Sequence, residues 1–189
     1  TQKMTQSANE LKMVWWLPEE FWQASFSQNE NITEAQIEQF LSVLRPYTLI
    51  AVVDGKLGAF GGVTYTSGLD ISAGIRIIDK DRNQYRPLAE DKVDPDVTNF
   101  MAMMKPVLKN MLGPMGENMH FFVFPGKTVK NEDMAQAKQE GFFAVKHAGG
   151  KFEFRLPLGS VLPPKKCSVD GEMLNGAWRY CPWHGVRLE

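Results

Sequence analysis

From Tyr47 to Leu158 the chain changes character every few residues without ever repeating a strand–helix–strand unit, and this limits its fold more than any other feature. β-rich runs rich in Val, Ile, Phe and Tyr are separated by Gly, Pro, Asp and Asn. Only a few segments carry apolar residues at helical spacing. Counting over the chain gives about seven strands and two or three helices. Without βαβ alternation a parallel sheet has no crossovers to join it. The expectation is therefore an α+β fold, with an antiparallel sheet or sandwich-like core decorated by helices.

The segments are expected as follows. "WWLPEEFWQASF" (15–26) is an aromatic anchor for the core, with Pro18 at the first helical position and Glu19 and Glu20 at the positive end of the helix. Thr33 and Gln36 form a capping box for a second helix, whose face is Ile37, Phe40, Leu41 and Leu44 and which Pro46 ends. "YTLIAVVDGKLGAFGGVTYTS" is expected to turn at Asp54-Gly55 as a hairpin. "DISAGIRIIDKDRNQYRPL" is expected to be a second strand pair, turning at 79–83.

Asp94 and Pro95 start a further helix that Gly113-Pro114 close. Its apolar face is Val97, Phe100, Met101, Met104, Val107, Leu108 and Met111, and Pro106 is expected to kink or break it. "MHFFVFPGK" (119–127) is a buried strand, and "NEDMAQAKQE" is a short polar helix or a loop. "GFFAVKHAGGKFEFRLPL" is a hairpin turning at Gly149-Gly150, and "GSVLPPKK" (159–166) is a stiff linker. The division this implies is a main domain over 1–160 and a tail over 161–189.

The chemistry is concentrated in that tail. "CSVDGEML" and "CPWHGVRL" align with one another: Cys167 with Cys181, Asp170 with His184, Gly171 with Gly185 and Leu174 with Leu188. This short internal repeat resembles the paired C-P-x-C-G knuckles of zinc ribbons, with Asp170 and His184 where the second cysteines would stand. The resemblance covers about 167–188. It implies one structural zinc ion held by Cys167, Asp170, Cys181 and His184, with each glycine permitting the turn that aims backbone N–H groups at sulfur. Two alternatives stand beside it: a Cys167–Cys181 disulfide in an oxidising compartment, and two reduced thiols with no joint role. In all three readings the tail is a staple and not a catalyst, and in the zinc reading four protein ligands leave the ion no open position. The knuckles look too short to bury Leu174, Trp178, Trp183 and Leu188, so one or both tryptophans are expected to pack on the main domain.

Other motifs carry less. "CPWHG" looks like the second box of Rieske proteins, but Cys167 is followed by Ser168 and Val169, so the C-x-H box is missing. Asp79, Asp81, Asn83 and Glu90 match EF-hand loop positions, but Gln84 stands where the glycine is needed; a polar turn holding no calcium explains them. "FPGKT" lacks the first P-loop glycine, where Phe121 stands, and "GAFGG" is a turn. No Ser-His-acid arrangement is visible, and His120 and His147 look structural.

A net charge of −1 shows no basic surplus for nucleic acid, and no apolar run nears the roughly 20 residues of a membrane span. The start "TQKMTQSANE" is similar to the mature end of an exported bacterial protein more than to a buried first strand. The functional expectation is a non-enzymatic, exported protein, periplasmic or secreted, with a binding or structural role toward a protein or small-molecule partner. The alternatives are a cytoplasmic location, and a hydrolase-like enzyme whose site gathers dispersed residues such as His120, Glu117 and the carboxylates near 79–96.

Overall fold

A computed structural model describes every residue except Ala8, Asn29, Glu30 and Glu189, and the backbone alone of Gln6. In chain order the strands are β1 (Gln2–Gln6), β2 (Glu10–Trp16), β3 (Tyr47–Leu57), β4 (Val63–Tyr65), β5 (Arg76–Ile78), β6 (Gln84–Tyr85), β7 (His120–Pro125), β8 (Gly141–His147), β9 (Gly150–Leu156), β10 (Lys165–Lys166) and β11 (Met173–Leu174). The helices are α1 (Glu19–Phe26), α2 (Glu34–Leu44), α3 (Gly68–Gly74), α4 (Pro95–Leu112) and α5 (Pro114–Glu117). The fold is α+β, and all strand pairings are antiparallel. None of the described helices is long and apolar enough to cross a membrane.

The first sheet runs β1-β2-β3, and the far side of β3 is shared by β4 and β7. The second sheet runs β6-β5-β8-β9. Strand alternation then builds three layers. One face of the first sheet carries Val14, Trp16, Ile50, Val52, Phe122 and Phe124 against Ile77, Phe143, Val145, Phe152 and Phe154 of the second. The other face carries Met13, Leu49, Ala51, Val53 and Val123 against Trp22 of α1, Ile37, Leu41 and Leu44 of α2, and Phe100 and Leu108 of α4. Period-two alternation explains how one strand serves both cores: β3 sends odd and even residues to opposite sides.

The aromatic anchor is divided by the same rule. Trp15 and Trp16 belong to β2, not to a helix, and Trp16 meets Phe143 edge-on at 5.1 Å between the sheets. Trp22 lies on the helical side, 4.9 Å from Phe100. Pro18 is the cap residue before α1, one place earlier than expected. The N-terminal segment pairs with β2 as an exposed edge strand, a pairing its polar composition hides.

The capping box of α2 forms as expected, with Thr33 and Gln36 bonding reciprocally. Asp94 and Pro95 open α4, but the helix continues through Pro106 to Leu112. Pro106 and Ala102 are exposed, so the carbonyl that the proline leaves unpaired faces water, and no break is needed. Val107 and Met111, expected in the apolar face, are exposed.

Three other expectations change. Asp54-Gly55 is no turn: β3 passes straight through, and the chain reverses at 58–62, where Gly58 N–H donates to Gly62 O at 2.7 Å. Residues 68–74 form α3 instead of a strand, with Ser67 as cap. The segment 131–140 takes the second of its two expected forms, a loop, and still buries Met134 and Ala137. The last hairpin turns at Ala148-Gly149, since His147 and Gly150 are paired.

The 79–83 turn is as expected. The Asp79 carboxylate, 3% exposed, accepts from Asp81 N and Asn83 N through Oδ1, and from Asn83 Nδ2 and Tyr85 Oη through Oδ2, all at 2.8–2.9 Å. Burial works against its charge, but the Asn83, Tyr85 and Asp81 donors outweigh it and hold the carboxyl below its ordinary value. A depressed folded pKa stabilises above the unfolded value, about 3.9, and that contribution is lost as pH falls through the folded value. Asp79→Asn is therefore expected to cost on the order of 1–3 kcal/mol at neutral pH, and progressively less in acid. Calcium should leave the melting midpoint unchanged, because both oxygens are engaged. A rise that grows with calcium and vanishes in Asp81→Ala would overturn this.

Candidate metal centre

The tail is a structural duplication as well as a sequence one. In the first knuckle Cys167 N–H donates to Glu172 O at 2.9 Å, and Gly171 N–H to Cys167 O at 2.9 Å. In the second, Cys181 N–H donates to Val186 O at 2.8 Å, and Gly185 N–H to Cys181 O at 2.9 Å. Lys166 pairs with Met173, and Tyr180 with Arg187, at equivalent places. Gly171 and Gly185 have φ of +79° and +66°, the left-handed conformation that closes each turn and favours glycine.

These turns aim backbone N–H groups at sulfur. The N–H groups of Asp170 and Val169 lie near the Cys167 sulfur, and those of His184 and Trp183 near the Cys181 sulfur. The His184 N–H lies 3.4 Å from Cys181 Sγ. At Cys181 burial raises the thiol, but the His184 and Trp183 N–H groups and the His184 ring outweigh it, and its pKa is lowered. At Cys167 burial dominates and the thiol is held up. A cation would complete such a pair of thiols by displacing their protons.

The side chains converge. Both cysteines are free, with their sulfurs 3.7 Å apart, well beyond the roughly 2.05 Å of a disulfide. His184 Nδ1 lies 3.4 Å from Cys167 Sγ and 3.5 Å from Cys181 Sγ. The Asp170 carboxylate stands 3.7 Å from the same nitrogen, and its Oδ1 is oriented by the Glu172 N–H at 3.0 Å. That N–H and the Cys167 thiol hold the Asp170 carboxyl below its ordinary value. Cys167, Cys181 and His184 thus form a cluster close enough to bind a metal ion, and no other such group of three occurs among the described residues.

The tail does not attach to the main fold as expected. Leu174 and Leu188 are buried with the two cysteines and Val186 in a small core of the tail's own. Trp178 is 43% exposed and Trp183 72%, so neither is packed away on the sheets. The joints are polar and close-packed instead. Asn175 occupies the space a side chain on Gly159 would need, and Arg179 pairs with Glu140. Two leucines suffice where the buried cysteines themselves supply the rest of the core.

Of the residues considered for a dispersed catalytic site, His120 and Glu90 line one cleft, and the others named are engaged elsewhere. Glu117 pairs with Lys109 at 2.7 Å on the surface, Asp79 holds its turn, and Asp94 caps α4. His120 is half-buried on β7. His147 Nε2 lies 2.7 Å from Asp54 Oδ2, both groups being buried between the sheets. Sequence reasoning missed that pair, because Asp54 looked like a turn residue. Gly126 of "FPGKT" packs on the Pro46 carbonyl, too close for any side chain.

Comparison of the chain with protein-family models, with curated proteins and with solved structures finds no match.

Proposed function

We propose that the protein has a binding or structural role and that its tail, 161–189, is a module held together by one structural zinc ion. The ligands are Cys167, Cys181, His184 and Asp170. The observation that carries this reading is the set of spacings between ligand atoms. A tetrahedral zinc with bonds of about 2.3 Å to sulfur and 2.0–2.1 Å to nitrogen separates two sulfurs by about 3.8 Å and sulfur from nitrogen by about 3.6 Å. The side chains stand at 3.7 Å, and at 3.4 and 3.5 Å. Asp170, at 3.7 Å from the imidazole, needs only a small approach to close the fourth corner, for which nitrogen to oxygen is about 3.4 Å.

With four protein ligands the ion is structural. A bound cation offsets the thiolate and carboxylate charges and links the two knuckles across the pseudo-symmetric repeat. Binding releases thiol protons, so affinity falls in acid.

The test is zinc and thiol content of the native, full-length chain. One zinc per chain is expected, with both thiols slow toward a thiol reagent until a chelator is added. Asp170→Ala should retain the metal more weakly, whereas losing either thiolate should release it. A metal-free chain with two freely reactive thiols, or a chain with an S–S bond, would overturn the reading.

A further inference from the structure

A cleft of about 490 Å³ lies along β7, walled by α3, α4 and the segment from Pro87 to Val93. Pockets of roughly 300–1,000 Å³ are the usual size for small molecules. Leu88 N–H donates to Val123 O at 2.7 Å and fixes that segment beside the strand. The floor is apolar, with Met119 and Val123 buried and Leu88, Val93, Met101 and Phe121 half-buried.

The polar groups of the cleft are few, and apart from Thr98, whose Oγ1 donates to Asp94 O, they have no partner among the described residues. The side chains of Lys105, His120 and Ser72 make no hydrogen bond or ion pair with any described residue. Lys105 lies within electrostatic reach of His120. The imidazole sits against Gly68, where a Cβ would come within 2.7 Å of Nδ1, so a glycine is what admits the ring. Glu90 is the acidic group of the lining and also has no partner.

We propose that this cleft binds a small amphipathic carboxylate, with its apolar part on Leu88, Val93, Met101 and Phe121 and its charge between Lys105 and His120. The apolar floor supplies affinity by area. The unpaired ammonium and imidazole fix the orientation, as a small number of polar groups do in apolar pockets. A neutral alcohol of the same length would lose the charge-assisted hydrogen bonds.

The experiment is a titration of the full chain with decanoate below its micellar concentration, followed by calorimetry and amide chemical shifts, with decanol as the neutral control. Saturable one-to-one binding is expected, with shifts centred on β7, α3 and the middle of α4. Lys105→Ala should weaken it about tenfold, corresponding to about 1.4 kcal/mol. Glu90→Gln should tighten it. Gly68→Ala should weaken it by displacing the imidazole, a change that leaves the rest of the cleft intact. Lys105 and Glu90 are exposed, so both variants should retain the parent circular dichroism. Decanol binding as tightly as decanoate, affinity unchanged in Lys105→Ala, or shifts centred on the groove between α2 and α4 would each overturn the proposal.

Discussion

Cys181→Ser is expected to lose zinc and to unfold the segment 165–188 while both sheets stay folded. The tail's core is little more than Leu174, Leu188 and the two cysteines. So small a core does not by itself offset the conformational entropy lost in ordering the segment, which needs a staple. Structural zinc supplies about 10–16 kcal/mol in small zinc modules, and that binding energy is their folding energy. Loss of an outer partner lowers metal affinity 10–100-fold, and loss of a ligating sulfur should exceed this. The readout is amide dispersion of 165–188 together with protease cleavage inside the tail. A chelator should produce the same state in the parent protein, reversed by added zinc.

The melting midpoint of the sheets should move little, since Trp178 and Trp183 are not packed on them and the Arg179–Glu140 pair is exposed. Exposed pairs contribute about 0–1 kcal/mol. A variant that keeps a dispersed, protease-resistant tail without metal would refute the zinc-staple account.

The largest single-residue effect in the main fold is expected at His147. Among the described residues its Nε2 is the sole hydrogen-bond partner of the Asp54 carboxylate, in a contact joining β8 of one sheet to β3 of the other. Both side chains are less than a tenth exposed. His147→Ala leaves a carboxylate buried without a partner, which costs about 3–5 kcal/mol. For a chain of this size that is a fall in Tm of roughly 6–20 °C. Asp54→Ala leaves only an imidazole unpaired and should cost about 1–3 kcal/mol. Denaturant melts of the two single variants and the double variant measure the asymmetry. Equal losses, or losses under about 1 kcal/mol for both, would show that the contact does not hold the two sheets together as described.

What the amino-acid order determined by itself is local. Thr33 and Gln36 cap α2, Asp94 and Pro95 start α4, Asp79 organises its five-residue turn, and the Cys-x2-ligand-Gly repeat makes two equivalent knuckles. In each case the interacting groups lie within about five residues of one another, so backbone geometry dictates the contact before any tertiary structure forms. The α+β class follows from the same local patterns, through the absence of crossover units. Tertiary structure alone decided the rest. Asp54-Gly55 has the chemistry of a turn, yet β3 runs through it, because β2 pairs along its whole length and His147, 93 residues away, receives the carboxylate. Trp16 and Trp22 are equally apolar, and only the layering sends one between the sheets and the other under the helices. Cys167, Cys181 and His184 come from two turns brought face to face, and Lys105 and His120 share a cleft only because α3, α4 and β7 line it together. Such contacts join surfaces far apart in the chain, and no short window of sequence contains both sides of them.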